Sequence, residues 1–145
     1  MLFLTNCTNS QQPDSMTFSN KIKGSTSDIE LIKGVSVVID NNSGKILSKR
    51  IEASLRENEP YLKQLLSESI LNETVTDIKC CYSDEYLKKG DVSFLLYLEL
   101  FQIRIYETFK VQFDFKEENC AYADGLIEFL NDKRSEIAEK INNHE

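Results

Sequence analysis

Residues 91–118, DVSFLLYLELFQIRIYETFKVQFDFKEE, form the most strand-like segment of this 145-residue chain. Apolar side chains alternate with other side chains along most of it, as they do in a strand with one buried face. The alternation changes phase near Leu100 and Phe101, which predicts a β-bulge or a turn, and residues 106–108 offer a second break. Two long antiparallel strands are the simplest interpretation. The first phase comprises Val92, Phe94, Leu96, Leu98 and Leu100, and the second comprises Ile103, Ile105, Phe109, Val111, Phe113 and Phe115.

Upstream, the segment GVSVVIDNNSGKILSKRI predicts a β-hairpin. Its two β-branched runs place strands at residues 35–40 and 45–51, and the NNSG between them supplies residues that tolerate positive φ. Asp40, Asn42 and Gly44 also resemble part of a calcium-binding loop, but the glycine comes one position early and no glutamate follows at the twelfth position. The sequence therefore favours a turn over a calcium site.

Two helices and one further strand are indicated by periodicity. Pro60 suits a first helical turn, and leucines then recur at three- and four-residue spacing, which predicts a helix over residues 59–72. The segment TVTDIKCCY, residues 74–82, alternates as a strand. Asn119 can cap a last helix with an apolar stripe that runs to Ile141. The strand carries Ile78, Cys80 and Tyr82 on one face and Val75, Asp77, Lys79 and Cys81 on the other.

These elements predict an α+β fold in the order β-β-α-β-β-β-α. An antiparallel sheet of about four to five strands would carry the two main helices on one face, since strands and helices do not alternate regularly. We expect one globular domain at residues 34–145, preceded by a polar tether at residues 1–33. Within that tether, residues 28–33 can form a short helix or an extended lead into the first strand.

The composition offers little support for catalysis. The only histidine, His144, lies next to the C-terminal residue of the sequence, which removes the usual general base and the usual Ser-His and Cys-His pairs. No phosphate-binding, dinucleotide-binding or zinc-protease motif occurs. The sequence predicts a non-enzymatic protein without a cofactor or a bound metal.

The charge distribution disfavours nucleic acid as a partner. The first 33 residues are electrically neutral, so the net charge of −7 belongs to residues 34–145. Such a surface repels phosphate backbones and is compatible with a basic protein partner. The aromatic residues of the domain can form either a solid core or the lining of a small-molecule pocket. They are Phe94, Tyr97, Phe101, Tyr106, Phe109, Phe113, Phe115, Tyr122 and Phe129.

Three cysteines of the domain lack the spacing of a zinc site. In an oxidising compartment, either Cys80 or Cys81 can form a disulfide bond with Cys120. In a reducing compartment, all three are free thiols.

The N-terminal Leu4-Thr5-Asn6-Cys7 resembles the lipobox of bacterial lipoproteins, in which a leucine and two small residues precede a cysteine. The resemblance implies that Cys7 is acylated, with palmitate-type chains, and becomes the mature N-terminus, anchored in the membrane by two or three acyl chains. Met-Leu-Phe-Leu then corresponds to the end of a signal peptide that begins upstream of Met1, and the polar residues 8–27 correspond to a tether. A frayed cytosolic N-terminus with a chance cysteine is the alternative.

These features predict a lipid-anchored protein of the bacterial cell envelope whose acidic domain binds a protein partner or a small ligand. The membrane contact would be through the anchor only. The alternative is a cytosolic inhibitor or immunity-type protein that masks a basic surface of its partner. The sequence leaves the oligomeric state open.

Overall fold

The computed structural model describes residues 25–113 and 115–143, and it confirms the α+β class. The strands form two antiparallel sheets, with the order β1-β2-β3 in one and β4-β5 in the other. The strands are β1 (Thr26–Ile32), β2 (Val35–Asp40), β3 (Ile46–Ile51), β4 (Val75–Lys79) and β5 (Tyr86–Lys88). The helices are α1 (Ala53–Arg56), α2 (Glu59–Ser69), α3 (Lys89–Leu100), α4 (Ile105–Phe109), α5 (Leu126–Asp132) and α6 (Arg134–Asn142).

The predicted hairpin is confirmed as β2 and β3. Burial alternates along β2, where Val35, Val37 and Ile39 face the core, so one face of the sheet is covered and the other is solvated. In the connecting turn, Asp40 Oδ1 accepts hydrogen bonds from the backbone N–H groups of Asn42 at 2.8 Å and Ser43 at 3.2 Å. The Asp40 carboxylate therefore acts as a turn-forming side chain, in agreement with the favoured prediction.

The predicted boundary between tether and domain at residue 33 is wrong, because β1 (Thr26–Ile32) belongs to the folded domain although its residues were assigned to the tether. Ile29 and Leu31 are buried on the core face, and β1 pairs with β2 through a two-residue turn that ends in Gly34 at φ 91°. Of the two alternatives for residues 28–33, the structure shows the extended one. Strand pairing prevails because a single isolated helical turn is marginal in water.

The predicted helix over residues 59–72 is confirmed as α2, which ends three residues earlier, at Ser69. Asn58 Oδ1 caps its first turn by accepting from the Tyr61 N–H at 3.4 Å. The buried side chains of Leu62 and Leu66 face the core, and the helix packs against α3, α6 and β1. This helix supports one flank of α3, the central element of the domain.

The two long strands predicted for residues 91–118 are absent from the described part of this segment. Residues 89–100 form α3, residues 105–109 form α4, and residues 110–113 and 115–118 have no regular structure. A short run that is apolar on every side can be a buried helix as well as a strand, and periodicity alone does not distinguish them. Leucine has a high helix propensity, and the Asp91 carboxylate accepts a hydrogen bond from the Lys88 N–H at the start of α3. Both features favour the helix.

The five strands are divided between two sheets instead of the predicted single sheet of four to five strands. The predicted order β-β-α-β-β-β-α is wrong before the first helix, where β1 adds a strand, and again after β5, where α3 follows. Residues 74–82 do contain β4, and Ile78 and Cys80 are buried on one face of the strand as predicted. Its partner is the short β5, and the Lys79 N–H donates to the Asn41 carbonyl beside the first sheet at 3.1 Å. The helix α3 takes the place of the additional strands.

The last helix also differs from its prediction. It begins at Leu126 instead of near Asn119, and a break at Lys133 divides it into α5 and α6. A disulfide bond at Cys120 holds the preceding residues in an irregular path, and Gly125, at φ 92°, has a conformation incompatible with a continuing helix. No helix in residues 25–113 and 115–143 has both the length and the apolar character needed to cross a membrane.

Candidate ligand-binding groove

An apolar groove of about 480 Å³ lies between α3, α4, the start of β3 and an irregular segment. We call this segment, residues 110–113 and 115–125, the wall segment. The volume of the groove lies within the range of small-molecule sites in proteins. Its apolar lining includes Ile46, Leu95, Leu98, Ile105, Phe113 and Leu126.

One wall of the groove is the outer face of α3. Phe94, Leu96 and Tyr97 are fully buried and attach the helix to the core, whereas Leu95 and Leu98 are half-buried and line the groove. The Tyr97 hydroxyl donates to the Ile141 carbonyl at 3.2 Å, and burial raises the pKa of this tyrosine to about 12. The helix is thus fixed on its inner side and presents leucines on its outer side.

A buried polar network holds the first turn of α3. Asp91 Oδ2 accepts from the Lys88 N–H at 2.8 Å, and its Oδ1 accepts from Arg134 Nη2 at 2.7 Å. Arg134 Nη1 donates to the Ile70 carbonyl at 2.8 Å, and its Nη2 also contacts the Asn131 side chain. Because the guanidinium and carboxylate groups are buried and satisfied together, they connect α3 to α6 and to the end of α2.

The wall segment is held in place by the dipeptide Cys81-Tyr82. A disulfide bond joins Cys81 to Cys120, and the Tyr82 hydroxyl accepts from the Glu117 N–H at 2.9 Å and donates to the Tyr122 carbonyl at 3.0 Å. The Tyr122 hydroxyl in turn accepts from the Cys81 N–H at 2.9 Å. The two cysteines are separated by 39 positions in the sequence, and a disulfide that closes a loop of this length stabilises a protein by about 4 kcal/mol through loop-closure entropy.

The structure selects between the two cysteines that the sequence left open. Cys81 forms the bond with Cys120, and Cys80 is a buried free thiol whose pKa is raised by burial. The predicted alternation placed Cys80 on the face of Ile78 and Cys81 on the other face, and Ile78 and Cys80 are both buried in the structure. The predicted lipidation site, Cys7, and the only histidine, His144, lie outside the described residues.

The aromatic residues divide between the core and the groove, and the buried Tyr122 contributes to both. Phe94, Tyr97 and Tyr122 belong to the core, and Tyr122 has its pKa raised to about 12 by burial. Phe113 and the exposed Tyr106 line the groove. Leu95 and Leu98 were not predicted to line a groove, although the apolar character of their segment was the available signal.

Three charged side chains border the groove. Glu99 is paired with Lys49, with 2.9 Å between Oε2 and Nζ, so its charge is compensated. Lys45 and Lys116 line the groove as well as a neighbouring polar depression, so they mark the boundary between the two. The groove therefore combines an apolar body with a cationic border.

Within residues 25–113 and 115–143, no cluster of three or more His, Cys, Asp or Glu side chains has the arrangement of a metal site. The side chains that line the groove offer burial of apolar surface together with an ionic contact at its border. Comparison with protein-family models, with curated proteins and with solved structures finds no match to this chain.

Proposed function

We propose that this protein is a lipid-anchored binding protein of the bacterial cell envelope, and that its groove binds a small, mainly apolar ligand without changing it chemically. The observation that carries the proposal is the outer face of α3. Leu95 and Leu98 lie on this face, are half-buried and line the groove.

The exposure of these leucines to an open groove is the reason to expect a ligand. A helix whose sides are all apolar is normally buried on all sides, because exposed apolar surface is unfavourable in water. Here the inner side is buried by the core, while the outer side meets a cavity with further apolar walls, Phe113 and Leu126. A small apolar molecule in this cavity would remove that surface from water.

The proposed location in the cell envelope is supported by two separate features. The tetrapeptide that ends at Cys7 resembles a lipobox, and the disulfide Cys81–Cys120 is of the kind that persists in oxidising compartments. The lipid anchor would place the domain at a membrane surface, where apolar and amphipathic molecules are plentiful.

Filling the groove is expected to abolish binding of a neutral apolar dye. Ala123 lines the groove and is half-buried, so the indole of Ala123→Trp would occupy the space of the ligand. We expect the variant to bind 1-N-phenylnaphthylamine at least about tenfold more weakly than the original protein, which corresponds to about 1.4 kcal/mol. Fluorescence titration of the dye measures this difference.

The matched control is Leu71→Trp, which adds the same indole at an exposed apolar position that does not line the groove. It should bind the dye as the original protein does. Equal dye affinity for Ala123→Trp and the original protein would contradict the proposal, as would an original protein that does not bind the dye.

The acylation state of Cys7 tests the proposed location in the cell envelope. We expect mass spectrometry of the protein from its native cell to find acylated Cys7 as the N-terminal residue. An unacylated chain that retains Met1 and has free thiols at Cys81 and Cys120 would contradict the lipoprotein proposal. It would instead favour the cytosolic inhibitor.

A further inference from the structure

The two lysines at the border of the groove indicate the chemical class of its ligand. We infer that the ligand is a free single-chain amphiphile with a carboxylate head, whose chain lies against Leu95 and Leu98 and whose head lies between Lys45 and Lys116. This inference rests on the proposed function of the groove.

Both ammonium groups are available for an anion. In the portion of the chain that the structure describes, neither Lys45 nor Lys116 takes part in an ion pair, whereas Lys49, on the neighbouring strand, already holds Glu99 at 2.9 Å. Asp40 and Glu118 share the polar depression with the two lysines, but neither lines the groove, and Asp40 Oδ1 accepts two backbone hydrogen bonds of the turn.

The positive border is a local reversal in an acidic protein. The chain carries a net charge of −7, yet the unpaired charges that line the groove are both positive. Glu117 and Glu118 follow Lys116 directly in the chain, but neither lines the groove. An anionic head would therefore be attracted where it contacts the groove, and a cationic head would be repelled there.

The volume of the groove suits a single small amphiphile. The apolar residues line a cavity of about 480 Å³ that is bounded by α3, α4 and the wall segment. Sites of this volume in proteins typically hold one small molecule. The lysines at its border can then form charge-assisted hydrogen bonds with the carboxylate.

Competition against 1-N-phenylnaphthylamine tests the inference with three ligands of one chain length, all below their micelle-forming concentrations. The ligands are dodecanoate, dodecanol and dodecyltrimethylammonium. With the full chain we expect dodecanoate to displace the dye at a concentration at least about tenfold lower than dodecyltrimethylammonium does. In Lys45→Gln/Lys116→Gln we expect this preference to disappear while dye and dodecanol still bind.

The matched control is Lys133→Gln/Lys140→Gln, which removes the same charge from exposed positions outside the groove and should keep the preference. A preference that survives in Lys45→Gln/Lys116→Gln, or that is absent from the original protein, would overturn the carboxylate inference and leave the groove as a binding site. Binding of the original protein to phosphatidylcholine vesicles with no displacement by soluble dodecanoate would also overturn it. Failure of dye and dodecanol to bind the original protein would overturn the proposed function itself.

Discussion

Gly90→Ala is expected to lower the free energy of unfolding by about 3 kcal/mol or more, or to prevent folding. A Cβ atom at this position would lie 2.1 Å from the Ile70 carbonyl oxygen and 2.7 Å from the Asn72 carbonyl oxygen. Both contacts are with backbone, so neither neighbour can rotate away as a flexible side chain would. Urea denaturation followed by circular dichroism measures the loss.

Ser93→Ala is the matched control, because it places a methyl group in the same buried helix. The Ser93 hydroxyl is buried and has no hydrogen-bond partner among the described residues, so its removal should leave stability unchanged or raise it. If Gly90→Ala unfolds at the same urea concentration as Ser93→Ala, α3 does not approach the end of α2 as closely as the structure shows.

Arg134→Leu is expected to cost about 3–5 kcal/mol, because it leaves the buried Asp91 carboxylate without its countercharge and the Ile70 carbonyl without its donor. Arg134→Lys should restore only part of this loss, since one ammonium group cannot reproduce the planar fork of the guanidinium. Thermal and urea unfolding measure both variants.

Arg104→Leu provides the comparison on the surface. Arg104 forms an ion pair with Glu107 in which both side chains are exposed, and loss of such a pair changes stability by less than about 1 kcal/mol. Similar losses for Arg134→Leu and Arg104→Leu would show that the Asp91–Arg134 pair is hydrated in solution, contrary to the buried network described above.

These two predictions also concern the groove, because the network and the close contact at Gly90 both position α3. Leu95 and Leu98 lie within two turns of Asp91 on the same helix. A shift of the helix start would therefore move the wall of the groove, and destabilised variants that still fold should bind the dye more weakly.

The elements with a strict local signal were predictable from the sequence. The turn at residues 40–44 is specified by an aspartate that bonds to the next two N–H groups and by a glycine at positive φ. The helix α2 is specified by a capping asparagine, a proline in its first turn and leucines at helical spacing. In both cases the chemistry acts over a few neighbouring residues, so no knowledge of the tertiary fold is needed.

The segment that begins at Asp91 was not predictable by the same means. Its apolar residues are so dense that they satisfy a period of two and a period of 3.6 alike. The helix also has a long-range contact at its start, because Asp91 pairs with Arg134, which lies 43 residues away. The break before α5 likewise depends on the bond between Cys81 and Cys120, residues from distant parts of the chain.

The candidate site could be anticipated only in part. The sequence identified Cys120 with Cys80 and Cys81 as its two possible partners, and it identified the aromatic residues that divide between core and groove. It did not indicate Lys45 and Lys116, because they are ordinary surface lysines until the wall segment brings one near the other beside the groove. Their role follows from tertiary structure alone.

The most direct test of the groove is the nuclear Overhauser spectrum of the methyl-labelled full chain in complex with 1-N-phenylnaphthylamine. We expect contacts from the aromatic protons of the dye to the methyl groups of Leu95, Leu98 and Leu126. Contacts concentrated instead at Leu71 and Val75, which are exposed apolar residues outside the groove, would contradict the assignment of this groove as the binding site.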